Sequence, residues 1–160
     1  MPKKVALSYP EIFEDLKKYF AGKDVELVDF DKDHLPSDFD LVVLFDSYDF
    51  VLKGENYINV QPSLLPAYKG NDAIFRAFKD GVKVSGITIH SKDKIIAQYP
   101  VLIGLDTHID DFIKEIHLVA SKLLPIVIDA ILNDRVFDFN DLFSNTCHNS
   151  GGCSGCNICH

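Results

Sequence analysis

The sequence predicts one α/β domain, three layers deep, built on a mostly parallel sheet. Three observations carry that expectation. Short apolar runs alternate with amphipathic helical segments, the run Leu41 to Phe45 is apolar at every position, and the longest helical pattern follows the last strand-like run. A short strand without polar alternation suits a parallel sheet covered on both faces.

Lys4 to Ser8 reads as a short buried strand. Glu11 to Phe20 then places Ile12, Phe13, Leu16, Tyr19 and Phe20 on one helical face, with Gly22 as its stop. Val25 to Phe30 is strand-like, Asp31 to Asp38 is polar and turn-prone, and Leu41 to Phe45 follows as the apolar strand. Tyr57 to Val60 is another β-prone run, ended by Pro62 and Pro66. A helix is expected over Asp72 to Lys79, stopped by Gly81. Gly86 to His90 and Ile95 to Gln98 read as two strands joined by Ser91 to Lys94, which predicts a hairpin. Thr107 and Asp110 form a capping-box-like start to the long helix, whose apolar face runs from Ile109 through Leu124, and Pro125 should bend or divide it. The alternation of strands and helices makes the domain Rossmann-like, with its last strands antiparallel.

A chain of 160 residues with 47% hydrophobic and 25% charged side chains suits one core. The formal net charge of -8 argues against a nucleic-acid partner, since phosphate binding draws its affinity from clustered Lys and Arg. A small-molecule substrate is expected instead. Neither a signal-peptide core nor a membrane span is present near Met1 to Pro10, and the expected location is the cytoplasm.

From Asn140 onward the apolar periodicity stops, which divides the chain into a domain over 1–139 and a Cys/Gly-rich tail over 140–160. All four cysteines fall in that tail, at Cys147, Cys153, Cys156 and Cys159, a C-x5-C-x2-C-x2-C spacing ending at His160. In a reducing compartment such thiols read as ligands before disulfides. The C-x2-C-x2-C part resembles the ferredoxin-type run that holds an iron–sulfur cluster, and zinc would accept the same thiolates. Redox chemistry and an unstructured tail remain open alternatives. His34, His108 and His117 receive no role.

The segment Ile58-Asn59-Val60-Gln61-Pro62-Ser63-Leu64-Leu65-Pro66-Ala67-Tyr68-Lys69-Gly70 resembles the signature of the folate-dependent formyltransferases. Gly86-Ile87-Thr88-Ile89-His90, Ile95-Ile96-Ala97-Gln98 and Leu105-Asp106-Thr107 follow in that family's order, so the resemblance spans about Asp40 to Asn133. It implies the formyltransferase fold, a tetrahydrofolate derivative as cofactor, and attack of an amine on a formyl carbon. It also implies catalytic roles for Asn59, Gln61 and His90 and substrate contacts at Pro62, Ser63 and Leu64. Asn59 would polarise a carbonyl, Gln61 would orient substrate, and His90 would be either the nearest base or a strand-end side chain bonded to nearby backbone.

Three departures from the family pattern accompany it. Gln61 stands where the family has a histidine, and an amide cannot exchange a proton near neutral pH. The turn Ser91-Lys92-Asp93-Lys94 replaces a longer loop that carries the family's aspartate. Leu7-Ser8-Tyr9-Pro10-Glu11 replaces a glycine-containing phosphate loop, which disfavours a nucleotide-phosphate substrate. Leu44 to Val51 falls where relatives contact the pterin, yet it carries Asp46 and Asp49. The expected function is therefore impaired or altered formyl transfer with a thiolate metal or iron–sulfur site. The alternative is a non-catalytic metal-binding or redox protein on the same scaffold.

Overall fold

The computed structural model describes residues 1–34, 36–92 and 94–136. Six strands form one sheet: β1 (Lys3–Ser8), β2 (Val25–Asp29), β3 (Leu41–Phe45), β4 (Tyr57–Gln61), β5 (Val84–His90) and β6 (Ile95–Leu102). Their order is β2-β1-β3-β4-β5-β6. The pairs among β1 to β4 are parallel, whereas β4 with β5 and β5 with β6 are antiparallel. Among the described residues four α-helices accompany them, α1 (Phe13–Phe20), the single turn α2 (Tyr48–Val51), α3 (Ala73–Asp80) and α4 (Ile109–Leu132).

Strand alternation sorts the side chains between the two faces. Val5, Leu7, Leu41, Val43, Ile58, Val60, Ile87 and Ile89 enter the main core with Leu16 and Phe20 of α1 and the buried face of α4. Ala6, Val42 and Leu44 point the other way, into a small cluster under Phe30, Phe39, Phe50 and Tyr57. The third layer is therefore thin: on that side the sheet meets α2 and loop aromatics rather than long helices. Asn59 and Gln61 alternate with Ile58 and Val60, so the polar residues of β4 lie on the thinly covered face.

Several expectations change in detail. The first helical segment opens as a 3-10 turn over Pro10–Ile12 before α1. No capping box forms at α4: His108 is the N-cap without a side-chain bond, and Thr107 Oγ1 instead accepts the Gly104 N–H at 2.9 Å. Nor does Pro125 divide α4, because Leu123, Leu124, Pro125, Ile126, Val127 and Ile128 are all buried and packing holds the helix together. β6 runs past Gln98 to Leu102 despite Pro100, which an edge strand tolerates because one row of its N–H groups needs no partner. The proposed tail of 140–160 lies outside the described residues. Among the described residues no helix is long and apolar enough to cross a membrane.

One close approach tests this packing. A Cβ on Gly86 of β5 would stand 2.2 Å from the Tyr99 carbonyl oxygen and 2.7 Å from Leu64 Cδ2. Gly86→Ala should cost about 1 to 3 kcal/mol, the range for overpacked interiors, read as a lower denaturant midpoint at unchanged slope.

Candidate functional site

The polar ends of β3, β4 and β5 meet on the thin face. Asn59 and His90 are cross-strand partners, and so are Gln61 and Thr88. Asn59 is fully buried and bonded at both ends of its amide: Oδ1 accepts the Ser47 N–H at 3.0 Å, and Nδ2 faces His90 Nε2 at 3.0 Å. His90 Nδ1 lies 3.1 Å from the Ser91 carbonyl oxygen, which can only accept, so Nδ1 carries the ring proton and Nε2 accepts from Asn59. Burial lowers the His90 pKa below 6.5, with the Ser91 bond opposing. The lone pair expected to act as a base is thus already engaged, and His90 as found orients Asn59.

The donor side of Gln61 is committed to the protein. It is fully buried, and its Nε2 donates to the carbonyl oxygens of Gly70 at 2.9 Å and Tyr68 at 3.2 Å. Its donors hold the loop after β4 rather than reaching a ligand. Arg76 reinforces the same loop, with Nη2 donating to the carbonyl oxygens of Tyr68 at 2.9 Å and Lys69 at 2.8 Å. Thr88 Oγ1 donates to the Ser63 carbonyl oxygen at 2.7 Å and accepts from the Leu65 N–H and Gln98 Nε2. Pro62 and Ser63 are buried and Leu64 is half-buried, so Pro62 and Ser63 are shielded from solvent. The Leu65-Pro66 peptide in this loop is cis.

A cleft of about 290 Å³ adjoins the pair, lined by Tyr48, Leu65, Lys69, His90, Lys94 and Ile95 among others. The Tyr48 ring stacks on His90 at 5.1 Å between centroids, and Lys69 Nζ lies 4.7 Å above the Tyr48 ring. Tyr48 sits on α2, a turn too short for periodicity to reveal.

Asp46 is the second residue that sequence reasoning left without a role. It follows β3 with φ of +47°, and its N–H donates to the Val60 carbonyl oxygen at 3.0 Å. Its Oδ1 is buried without a hydrogen-bond partner, as is Gln61 Oε1. Burial raises the Asp46 pKa, helped by the charge of Asp72 and opposed by Lys32, the Asp72 N–H and Arg76.

At the end of β1, Tyr9 is fully buried, stacks on Phe45 at 4.1 Å and shares a 2.6 Å hydrogen bond with His117 Nδ1. His117 therefore has a structural role that its place on a helix did not disclose. Burial raises the Tyr9 pKa and lowers that of His117. Cys147, Cys153, Cys156 and Cys159 lie outside the described residues, as does Asp93. Among the described residues no group of three or more His, Cys, Asp or Glu is placed to hold a metal.

The mostly parallel sheet thus carries, on β4 and at the end of β5, a buried Asn–His pair beside a proline-bracketed loop. Residues 47–128 match the family described as Formyl transferase, and the chain belongs to it. It is 41% identical over 85 residues to phosphoribosylglycinamide formyltransferase of Bacillus subtilis (strain 168), covering 49% of this chain and 44% of that protein. The chain spans less than half the length of these curated relatives that it matches. Among solved structures, a formyltetrahydrofolate deformylase from Pseudomonas syringae pv. tomato aligns with a TM-score of 0.67 at 20% identity, covering 86% of this chain and 64% of that one. A phosphoribosylglycinamide formyltransferase from Anaplasma phagocytophilum gives 0.66 at 23%, covering 82% and 87%. These two likenesses establish the fold.

Two measurements probe the network. Thr88→Val should destabilise the protein by about 1 to 3 kcal/mol, because the buried Ser63 carbonyl and the half-buried Leu65 N–H and Gln98 amide lose their bonds at nearly constant side-chain volume. For His90 the folded pKa is lowered, so its contribution is complete above 6.5 and is lost as pH falls toward the folded value. His90→Gln should weaken the dependence of stability on pH below that point, leaving the part due to His117, measured by urea unfolding across the interval.

Proposed function

We propose that the domain carries out an altered formyl transfer, in which a tetrahydrofolate derivative donates the formyl group to an amine lacking a phosphate. The observation that carries this reading is the Asn59–His90 pair held beside the 290 Å³ cleft, inside the segment that matches the family. In this reading the donor occupies the cleft. The second Nδ2 hydrogen of Asn59 meets the formyl oxygen as charge develops on it, and His90 keeps that amide correctly turned. A preorganised donor of this kind is worth on the order of 10²- to 10³-fold in rate.

The departures from the family pattern support an altered reaction rather than a standard one. Gln61 holds a loop where a proton-transferring histidine would stand. At the end of β1, Pro10 has no N–H to offer, Glu11 is acidic, and Tyr9 fills the space against Phe45. That arrangement suits an uncharged or cationic acceptor better than a phosphorylated one.

The second part of the proposal is a metal or iron–sulfur site formed by Cys147, Cys153, Cys156 and Cys159, supported by their spacing. A non-catalytic metal-binding or redox protein on this scaffold is the alternative, favoured by the engagement of both His90 nitrogens.

Titration of the purified protein with 5-formyltetrahydrofolate separates the two readings. Binding that Asn59→Ala weakens at least about tenfold, equivalent to 1.4 kcal/mol, is expected for the transferase. Protein that binds no reduced folate yet carries stoichiometric iron, sulfide or zinc after anaerobic purification would belong to the alternative.

A further inference from the structure

Two buried oxygens lack donors at the ends of adjacent parallel strands, Asp46 Oδ1 after β3 and Gln61 Oε1 at the end of β4. Phe45 and Val60 are register partners and the Asp46 N–H bonds the Val60 carbonyl, so the two residues are next neighbours across the ladder. The Gln61 amide cannot be turned to relieve its oxygen, because Nε2 is aimed at the carbonyls of Tyr68 and Gly70. A buried acceptor without a donor is costly, and its persistence at a strand end marks a place for a ligand's donors. Asp46 also has a positive φ without being glycine, a conformation that the surrounding structure must impose.

We propose that Asp46 is a catalytic residue, with Gln61 Oε1 forming the other half of a subsite for the acceptor amine. A neutral primary amine has two N–H donors and one lone pair, which matches two acceptors and one electrophile. The inference rests on the formyl-transfer reading and supplies its missing base. Asn59 links the two half-sites, since its Oδ1 holds Ser47, the residue after Asp46, and its Nδ2 holds His90 at the cleft. The groups facing Asp46 are Asp72, Lys32 and Arg76. With Asp46 itself, two carboxylates face two cations, so this side carries no net positive charge to draw an anion.

The step balances within these groups. The amine lone pair forms the bond to the formyl carbon while the carbonyl pair moves to oxygen, and an N–H proton passes to the Asp46 carboxylate. On collapse the C=O reforms, the bond from carbon to the donor nitrogen breaks, and the proton on Asp46 passes to that departing nitrogen. Asp46 returns to its starting state.

Two readouts test this, using the full chain. In the first, ethylamine is titrated against protein with ¹³C-labelled aspartate carboxyls. Ethylamine is expected to shift the Asp46 resonance and move its titration to lower pH. An Asp46 signal indifferent to ethylamine overturns the subsite, whatever the activity. In the second, transfer from 10-formyltetrahydrofolate to ethylamine is followed for the wild type, Asp46→Asn and Asp46→Glu. Asp46→Asn should lose about 10²-fold or more in kcat/KM and the rising limb of the pH profile, with folate affinity changed less than about threefold and partial recovery in Asp46→Glu. Equal rates in Asp46→Asn and the wild type overturn the catalytic role. If ethylamine shifts Asp46 but no variant transfers formyl, the formyl-transfer reading fails and the amine subsite stands. A denaturant midpoint for Asp46→Asn at or above the wild type, expected once a buried unpartnered acid is removed, excludes misfolding as the cause of lost activity.

Discussion

The site depends on Asn59 being bonded at both ends while fully buried. Strand alternation puts it on the thin face of the sheet, and its amide then joins two pieces of chain that β4 alone would not connect. One end fixes Ser47, which sets the exit of the chain from β3 and with it Asp46 and the α2 turn carrying Tyr48. The other end fixes the ring of His90 at the end of β5. Three strand ends are thereby tied at one side chain, and the cleft forms where Tyr48 and Lys69 cover that junction.

A second network surrounds the first and serves a different purpose. Thr88, Gln98, Gln61 and Arg76 supply donors and acceptors to the backbone of the loop after β4, where regular pairing has ended. Where this loop lies against the sheet its carbonyls have to be satisfied somewhere, and here side chains do so. Among the described residues Ser85 Oγ of β5 is also buried without a partner, but only the oxygens of Asp46 and Gln61 lie together at the ends of adjacent strands. Groups held at a cost to stability concentrate where a protein binds or reacts, which is why they draw a functional reading and the Thr88 cluster does not.

Family likeness is uneven along the chain. The matched region, 47–128, includes the Asn–His pair, the loop and most of α4, the parts that build the junction. The end of β1 lies before it, and there Tyr9, Phe45 and His117 close the space with a stacked ring and a 2.6 Å hydrogen bond. The Asn59–His90 junction thus lies within the matched region and the closed end of β1 outside it.

By itself the sequence determined the strands, the hairpin of β5 and β6, the long helix and the motif around Asn59, since each depends on local periodicity or on residues close in the chain. It also disclosed the two-residue spacing that sends Asn59 and Gln61 to one face. What only the tertiary structure decided are the partners of those side chains. Tyr9 meets His117 across 108 positions, Asn59 meets His90 across 31, and Gln61 turns toward Gly70 rather than outward. Tyr48 lies on a four-residue helix without a period, Thr107 leaves its expected cap for the Gly104 N–H, and packing keeps Pro125 within α4. In each case the outcome was settled by competition among donors, acceptors and buried surfaces brought together by the fold, and no local pattern in the chain records that competition.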